Sequence, residues 1–325
     1  MIKIFIKENN NIRIFEIGDL TQTKDSILKS QNIRENQIIW IDLVSPEQSE
    51  IKWVSNNFEV RFPSKKQTEE IEISSRYWED EESITINTYF FIKDKDGAYN
   101  ETVTFIIKKH FLVTVRYREL NTFREFTKKL LSNPKAYDDG FYILGGILEI
   151  RIDADADTLE FIAKEISKLG RIIFTGIDIT EQIIESISYY EDLNMTLREN
   201  LIDKQRVLSS LLKSYKIPKD LREEIRIMLK DIKSLIDYTT FNFERLGYLQ
   251  NTFLGLLNIE QNQVIKIFTI MSVAFLPPTL IASIYGMNFE FMPELKWHYG
   301  YPLALILMVL SAVIPLVIFK RKGWI

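Results

Sequence analysis

The sequence predicts an α+β domain, then a set of long helices, then two membrane-spanning helices, the first of which continues the last long helix. Three observations predict this. Alternating, β-branched runs fill positions 1 to about 118; leucine and isoleucine recur at spacings of three and four from about Asp138; and two long uncharged apolar runs close the chain. At 325 residues the chain is long for one compact domain and suits more than one module.

The strand-like runs are IKIFIK, NIRIFEI, IIWIDL, SITINTYFFIK, TVTFIIKK and FLVTVRY, with helices between and after them. Pro46 to Phe58 and Leu120 to Leu131 read as two of those helices, the former with Ser45 as N-cap and Pro46 in its first turn. Helical spacing then runs through Leu159, Ile162, Ile166 and Leu169, and through Ile183, Ile187 and Leu193 to Leu212. Pro218 sits where a first-turn proline belongs, with Asp220, Glu223 and Glu224 behind it at the positive end of the helix dipole. No proline interrupts until Pro277, so one helix runs from about 218 to 285, roughly 100 Å, its last third in the bilayer. Such a helix needs neighbours along its side, which implies a bundle or an oligomer. The organisation expected is a cytoplasmic α/β domain over 1–135, a helical bundle and stalk over 136–262, and a transmembrane domain over 263–325 with spans at about 264–286 and 300–319.

The uncharged runs from Ile267 to Phe289 and from Tyr299 to Phe319 hold about 23 and about 21 residues, each enough to cross hydrocarbon as a helix. Lys320, Arg321 and Lys322 close the second run, and the short loop between the runs carries Glu290 and Glu294. The positive-inside rule then puts both termini in the cytoplasm of a multi-pass cytoplasmic (inner) membrane protein. MIKIFIKENN has no apolar signal core, so no cleaved leader is expected. Trp297, Tyr299 and Tyr301 at one end, and Trp324 at the other, suit the aromatic belts of the two interfaces.

Composition narrows the chemistry. Lys+Arg 41 against Asp+Glu 45 gives a net charge of -4, which argues against a nucleic-acid partner. No cysteine is present, so disulfides, thiolate metal sites and cysteine nucleophiles are excluded. His110 and His298 are the two histidines, too few for imidazole-rich zinc sites or most histidine catalysis. Any metal must be held by oxygen, which favours hard ions such as Mg²⁺. Without a glycine-rich phosphate loop, a nucleophile elbow or a paired-carboxylate site, no enzyme is expected. Asp153, Asp155 and Asp157 have the D-x-D-x-D spacing of a calcium loop, but Thr158 replaces its glycine and Lys164 its glutamate, so a solvated acidic helix face is the better account. Glu79 to Glu82 read as a turn between strands.

Counting 100° per residue from Asn262, the hydroxyls of Ser272, Thr279 and Ser283 fall at about 280°, 260° and 300°. Ile265, Phe268 and Leu276 fall at about 300°, 240° and 320° on the same stripe, with Asn262 at its edge. From these residues alone, close helix packing explains the stripe as well as a pore lining does. Pro277-Pro278 removes backbone hydrogen bonds there, which bends the helix or frees carbonyls.

The stripe ends at Tyr285-Gly286-Met287-Asn288, followed by Phe289-Glu290-Phe291-Met292-Pro293-Glu294-Leu295. This resembles the Y-G-M-N-F-x-x-M-P-E-L signature of the CorA family of magnesium and cobalt transporters, and it sits between two terminal spans with a basic-aromatic tail. Motif-level identity is confined to about residues 258–325. The resemblance implies a funnel-shaped homopentamer with five first spans around one pore. It also implies a selectivity filter of Gly286, Met287 and Asn288 at the outer mouth, with Asn262, Phe268, Leu276 and Thr279 at pore-facing positions, to which the stripe adds Ile265, Ser272 and Ser283 as pore-lining residues. Leu276 stands where many members carry methionine, and Phe268 where a leucine constriction is common. Regulatory Mg²⁺ is implied between neighbouring cytoplasmic domains, held by Glu70 of the α/β domain and by Asp231 or Asp237 of the stalk.

The function expected is therefore Mg²⁺ influx, with Co²⁺ and Ni²⁺ as further cargo, selected as the hydrated ion at an Asn288 ring and gated by cytoplasmic Mg²⁺. No ATP site is visible, so the membrane potential supplies the drive. Glu290 and Glu294 either concentrate cations at the entrance or stand as solvated loop charges. The partners expected are further copies of the chain, lipid and divalent cations. One rival is a zinc transporter of the ZntB branch, which also bears G-M-N; the M-P-E-L loop and the lack of cysteine favour magnesium. The other is a membrane-anchored metal sensor, against which the stripe ending at Asn288 argues.

Overall fold

The computed structural model describes residues 1–8, 11–30, 33–64, 76–94, 97–175 and 181–323. They divide into two units, Met1–Leu249 and Gln250–Ile325. The strands are β1 (Ile2–Glu8), β2 (Asn11–Ile17), β3 (Ile38–Val44), β4 (Tyr77–Glu79), β5 (Ser83–Lys93), β6 (Ala98–Lys108) and β7 (Phe111–Arg116). They form one sheet in the order β2-β1-β3-β7-β6-β5-β4, antiparallel throughout except for the parallel pair β3 and β7. All six runs with strand character are strands. The three-residue β4 has too little length to show alternation in the sequence. The helices are α1 (Lys24–Ser30), α2 (Gln48–Phe58), α3 (Asn121–Ser132), α4 (Gly140–Thr175), α5 (Glu181–Leu211), α6 (Lys219–Tyr285) and α7 (Gly300–Arg321).

Alternation along β3 assigns its side chains to two cores. Ile41 and Leu43 join Ile2, Ile4, Val113 and Val115 against Trp53, Val54 and Phe58 of α2. Trp40 points the other way, wholly buried, stacked on Phe5 with ring centroids 4.1 Å apart and edge-on to Phe126 of α3 at 5.7 Å. Phe123 links this pair to Phe90 and Phe105, so α3 seals the second face of the sheet. The indole Nε1 donates to Thr114 Oγ1 at 2.9 Å, and Thr114 donates in turn to Asp42 Oδ1 at 2.7 Å. Arg116 Nη2 closes the chain on Asp42 Oδ2 at 2.9 Å, so this buried carboxylate is paired. At the start of α4 the Gly140 N–H donates to the His110 carbonyl at 2.8 Å, and a Cβ at this position would stand 2.5 Å from the Leu112 backbone nitrogen. Glycine alone lets the helix meet β7 that closely.

Two expectations are corrected in this unit. Ser45 does not cap α2: its φ of 42° is left-handed, and its Oγ donates to the Tyr117 carbonyl at 2.8 Å. Glu47 is the N-cap, and its N–H donates to Glu50 Oε2 at 2.8 Å, which leaves Pro46 in the preceding turn. The second correction concerns Asp155, which belongs to no solvated face. Residues four apart share a helix face and residues two apart lie on opposite sides, so Asp153 and Asp157 are exposed while Asp155 points inward. Asp155 is 0% exposed, lies 3.0 Å from Lys204 Nζ and pairs with Arg151. Lys204 also donates to the Tyr89 carbonyl at 2.7 Å and to Asn200. Glu79 ends β4, and the Asp80 carboxylate accepts from the backbone N–H of Ser83 at 2.7 Å, the turn between strands that the sequence predicts.

The 67 residues of α6 run from just past Pro218 to Tyr285, the limits its punctuation predicts. Its C-terminal part and α7 are each long and apolar enough to cross a membrane. Pro277 and Pro278 lie inside α6 and Pro315 inside α7, and both helices continue through them.

Candidate ion-conducting face and signature loop

Asn262, Ile265, Phe268, Ser272, Leu276, Thr279 and Ser283 all lie on about the last seven turns of α6, and all seven are exposed. Phe268 and Leu276 are each 66% exposed and Ile265 53%, so nothing among the described residues covers the apolar members. Two of the three stripe hydroxyls, Ser272 and Thr279, have one feature in common. Ser272 Oγ donates to the Phe268 carbonyl at 2.9 Å and Thr279 Oγ1 to the Phe275 carbonyl at 2.7 Å. Each proton is used within its own helix, so the oxygen faces outward with its lone pairs and acts as an acceptor. Thr269 does the same, donating to the Ile265 carbonyl at 2.8 Å, and falls at about 340° on the same count. The sequence count does not include it, and its spacing of three from Ser272 is the signal that places it on the stripe.

The loop begins where α6 stops. Gly286 N donates to the Ala282 carbonyl at 2.9 Å and Met287 N to the Ile284 carbonyl at 3.3 Å, which closes the last turn. Gly286 is not one of the residues with positive φ, so left-handed freedom is not its reason for being glycine. A Cβ here would stand 3.1 Å from the Ala282 carbonyl oxygen, a tight contact that a glycine avoids. Met287, Asn288 and Glu290 follow, exposed and outside any helix, and Glu294 lies in the short turn Pro293–Lys296. The signature residues therefore stand at the end of the stripe-bearing helix.

The stalk carboxylates stand apart. Asp231 and Asp237 are exposed on α6, about 120° apart around it and about 9 Å apart along it, so one chain cannot bring both to one ion. Glu70 lies outside the described residues, as does Trp324. Among the described residues no group of three or more His, Cys, Asp or Glu could hold a metal ion. Acidic neighbours do gather near Asp231: burial, then Glu149, Asp157 and Asp231, push the Asp153 carboxyl above its ordinary range. Burial followed by Glu149 and Asp220 does the same to Glu224.

Residues 35–321 match the family described as CorA-like Mg2+ transporter protein. This chain belongs to that family. A magnesium transport protein CorA of Wolinella succinogenes is 46% identical over 295 residues, covering 89% of this chain and 92% of the relative. Another, from Campylobacter jejuni, is 42% identical and covers the whole of both chains. The complete structure of the CorA magnesium transporter from Methanocaldococcus jannaschii superposes with a TM-score of 0.82 at 23% identity, covering 100% of this chain and 99% of the other. The last match shows a shared fold through both units of the CorA-like chain, membrane-length helices included.

Proposed function

We propose that this chain is one subunit of a homopentameric channel that admits Mg²⁺ to the cytoplasm, with Co²⁺ and Ni²⁺ as further cargo. The observation that carries the reading is the exposed stripe of α6, whose Ser272 and Thr279 hydroxyls donate within the helix and which runs to Asn288. Mg²⁺ gives up its water shell reluctantly, and the waters around it are hydrogen-bond donors. A ring of Asn288 amide oxygens, followed by rings of Thr279 and Ser272 acceptors, would take those donors without replacing the shell, weakly enough for the ion to leave. Relatives named for magnesium transport at 42–46% identity support the choice of cargo. Membrane-length helices and the Lys320-Arg321-Lys322 end support a cytoplasmic-membrane location with both termini inside. The drive is the membrane potential, about 4.6 kcal/mol per 100 mV for a divalent ion.

Ile265, Phe268 and Leu276 form the gate in this reading, apolar rings that dewet when narrow and conduct when widened. Cytoplasmic Mg²⁺ closes it by bridging Glu70 of one subunit to Asp231 or Asp237 of the next, carboxylates that otherwise repel. Glu290 and Glu294 concentrate cations at the outer mouth. The test is uptake into proteoliposomes with a fluorescent Mg²⁺ indicator, comparing wild type with Asn288→Ala and repeating with Zn²⁺ under an imposed pH gradient. Mg²⁺ entry that Asn288→Ala abolishes is the expected result. Proton-dependent Zn²⁺ entry without Mg²⁺ flux would move the protein to the zinc branch, and no flux of either ion from folded protein would leave the sensor reading.

A further inference from the structure

Charge is distributed unevenly along the second unit. Between Gln261 and Phe289 the one charged residue is Lys266, and beyond Glu294 every charged residue is basic. Lys266 precedes Tyr285, the end of α6, by about 19 residues, roughly 29 Å of helix rise. Lys320 follows Gly300, the start of α7, by about 20 residues, roughly 30 Å. Both distances equal one hydrocarbon thickness measured from the same connecting loop. Lys266, Lys320 and Arg321 therefore reach the same membrane face, the one opposite Glu290 and Glu294, and all three are exposed. Lys322 adds a fourth positive charge at that level. The next carboxylate along α6, Glu260, lies about 9 Å farther out. On the helical count Lys266 falls near 40°, outside the stripe and about 40° from its Asn262 edge, so its charge flanks the ion-conducting face.

Three or four cations per chain at one depth repel one another in an assembly and attract opposite charge from the leaflet they touch. Long basic stems at a span's end extend their head groups to the interface, where lipid phosphates lie. We propose that Lys266, Lys320 and Arg321 form a collar that binds the phosphate groups of anionic lipids in the cytoplasmic leaflet. The proposal rests on the membrane-spanning reading of the second unit and not on which ion is carried. Each basic residue near an anionic surface contributes about fivefold to lipid partition, so removing three weakens it on the order of a hundredfold.

The test reconstitutes full-length protein in vesicles of phosphatidylcholine in which a third of the lipid is phosphatidylglycerol. The protein is re-extracted in detergent, and the lipid that travels with it is quantified. Wild type is expected to retain phosphatidylglycerol well above its share of the vesicle, and the triple variant Lys266→Gln, Lys320→Gln, Arg321→Gln to fall to that share. A charge-preserving triple variant, Lys266→Arg, Lys320→Arg, Arg321→Lys, should keep the enrichment, which separates charge from folding. Equal retention of both lipids by wild type, or unchanged enrichment in the glutamine variant, overturns the proposal. So does loss of the enrichment on adding millimolar inorganic phosphate, which would assign the collar to a free anion. The lipid readout needs no ion flux, so a failed channel reading and a failed lipid reading give different results.

Discussion

Removing Asp155 tests how the first unit is held together. Its carboxylate is 0% exposed and faces Lys204, 1% exposed, together with Arg151. In Asp155→Ala both cations stay buried without their partner, and breaking a buried pair in this way costs about 3–5 kcal/mol. For a unit of this size each kcal/mol moves the midpoint by about 2–4 °C, so the melting temperature should fall by about 10 °C. Titration gives a second handle. Burial pushes the Lys204 ammonium down to about 8 from 10.5, while Asp155 pulls it back up. The folded value lies below the unfolded one, so from about pH 8 to about pH 10.5 the unfolded chain holds more protons than the folded chain. Stability owed to Lys204 therefore rises with pH through that window, by about 3 kcal/mol in all, and the cost of its buried charge is present in full below it. The assay is thermal and urea unfolding of the full-length protein in detergent, comparing wild type, Asp155→Ala and Lys204→Met at each pH. Subtracting Lys204→Met cancels the other titrating groups. The reasoning is refuted if Asp155→Ala stays within about 1 kcal/mol of wild type, or if the difference between wild type and Lys204→Met is flat or falls above pH 8.

Thr279→Val keeps the side-chain shape and removes one acceptor, and should slow Mg²⁺ entry about fivefold to tenfold in the proteoliposome assay with assembly unchanged on size exclusion. Leu276→Asn should hydrate the apolar constriction, so that uptake persists at internal Mg²⁺ levels that shut the wild type; shut-off at the same level would remove Leu276 from the gate. Trp40→Ala should cost about 3–5 kcal/mol in urea unfolding, because the indole is stacked on Phe5 and its Nε1 is held by Thr114. Gly140→Ala should destabilise by about 1–3 kcal/mol, since its Cβ meets backbone and not a movable side chain.

Much of the fold is legible because its signals are local. The limits of α6 follow from Pro218 and Gly286, and the six longer strands from alternation that persists for six residues or more. What sequence reasoning missed depends on contacts across the chain. Ser45 has the composition of a cap, but the backbone enters α2 through a left-handed turn tied to Tyr117, some seventy residues away. Asp155 belongs to an acidic run, and only the cations opposite it, one of them on α5, make an inward carboxylate tolerable. The candidate site divides in the same way. Stripe and loop are contiguous in sequence, and the stripe has a helical period, so a single sequence can suggest both; the proposed bridge between Glu70 and a stalk carboxylate would have neither contiguity nor period.

The stripe's chemistry bears on why α6 carries no carboxylate through its apolar part. A carboxylate ring inside a low-dielectric pore would attract a divalent ion strongly, strip its water and hold it, and throughput would fall with every added charge. A ring that donated hydrogen bonds would face the wrong ends of the hydration waters. Hydroxyls that donate to carbonyls four residues back avoid both outcomes, because they present oxygen alone and carry no charge. Pro277 and Pro278 add to this: without their N–H groups the carbonyls of Val273 and Ala274 have no partner four residues on, and these residues fall near 20° and 120°, the first beside the stripe's Asn262 edge and the second away from it. A bare carbonyl facing hydrocarbon costs several kcal/mol. A lone α6 in lipid would therefore need donors from outside itself for these two carbonyls, which in the proposed channel neighbouring copies or pore water would have to supply.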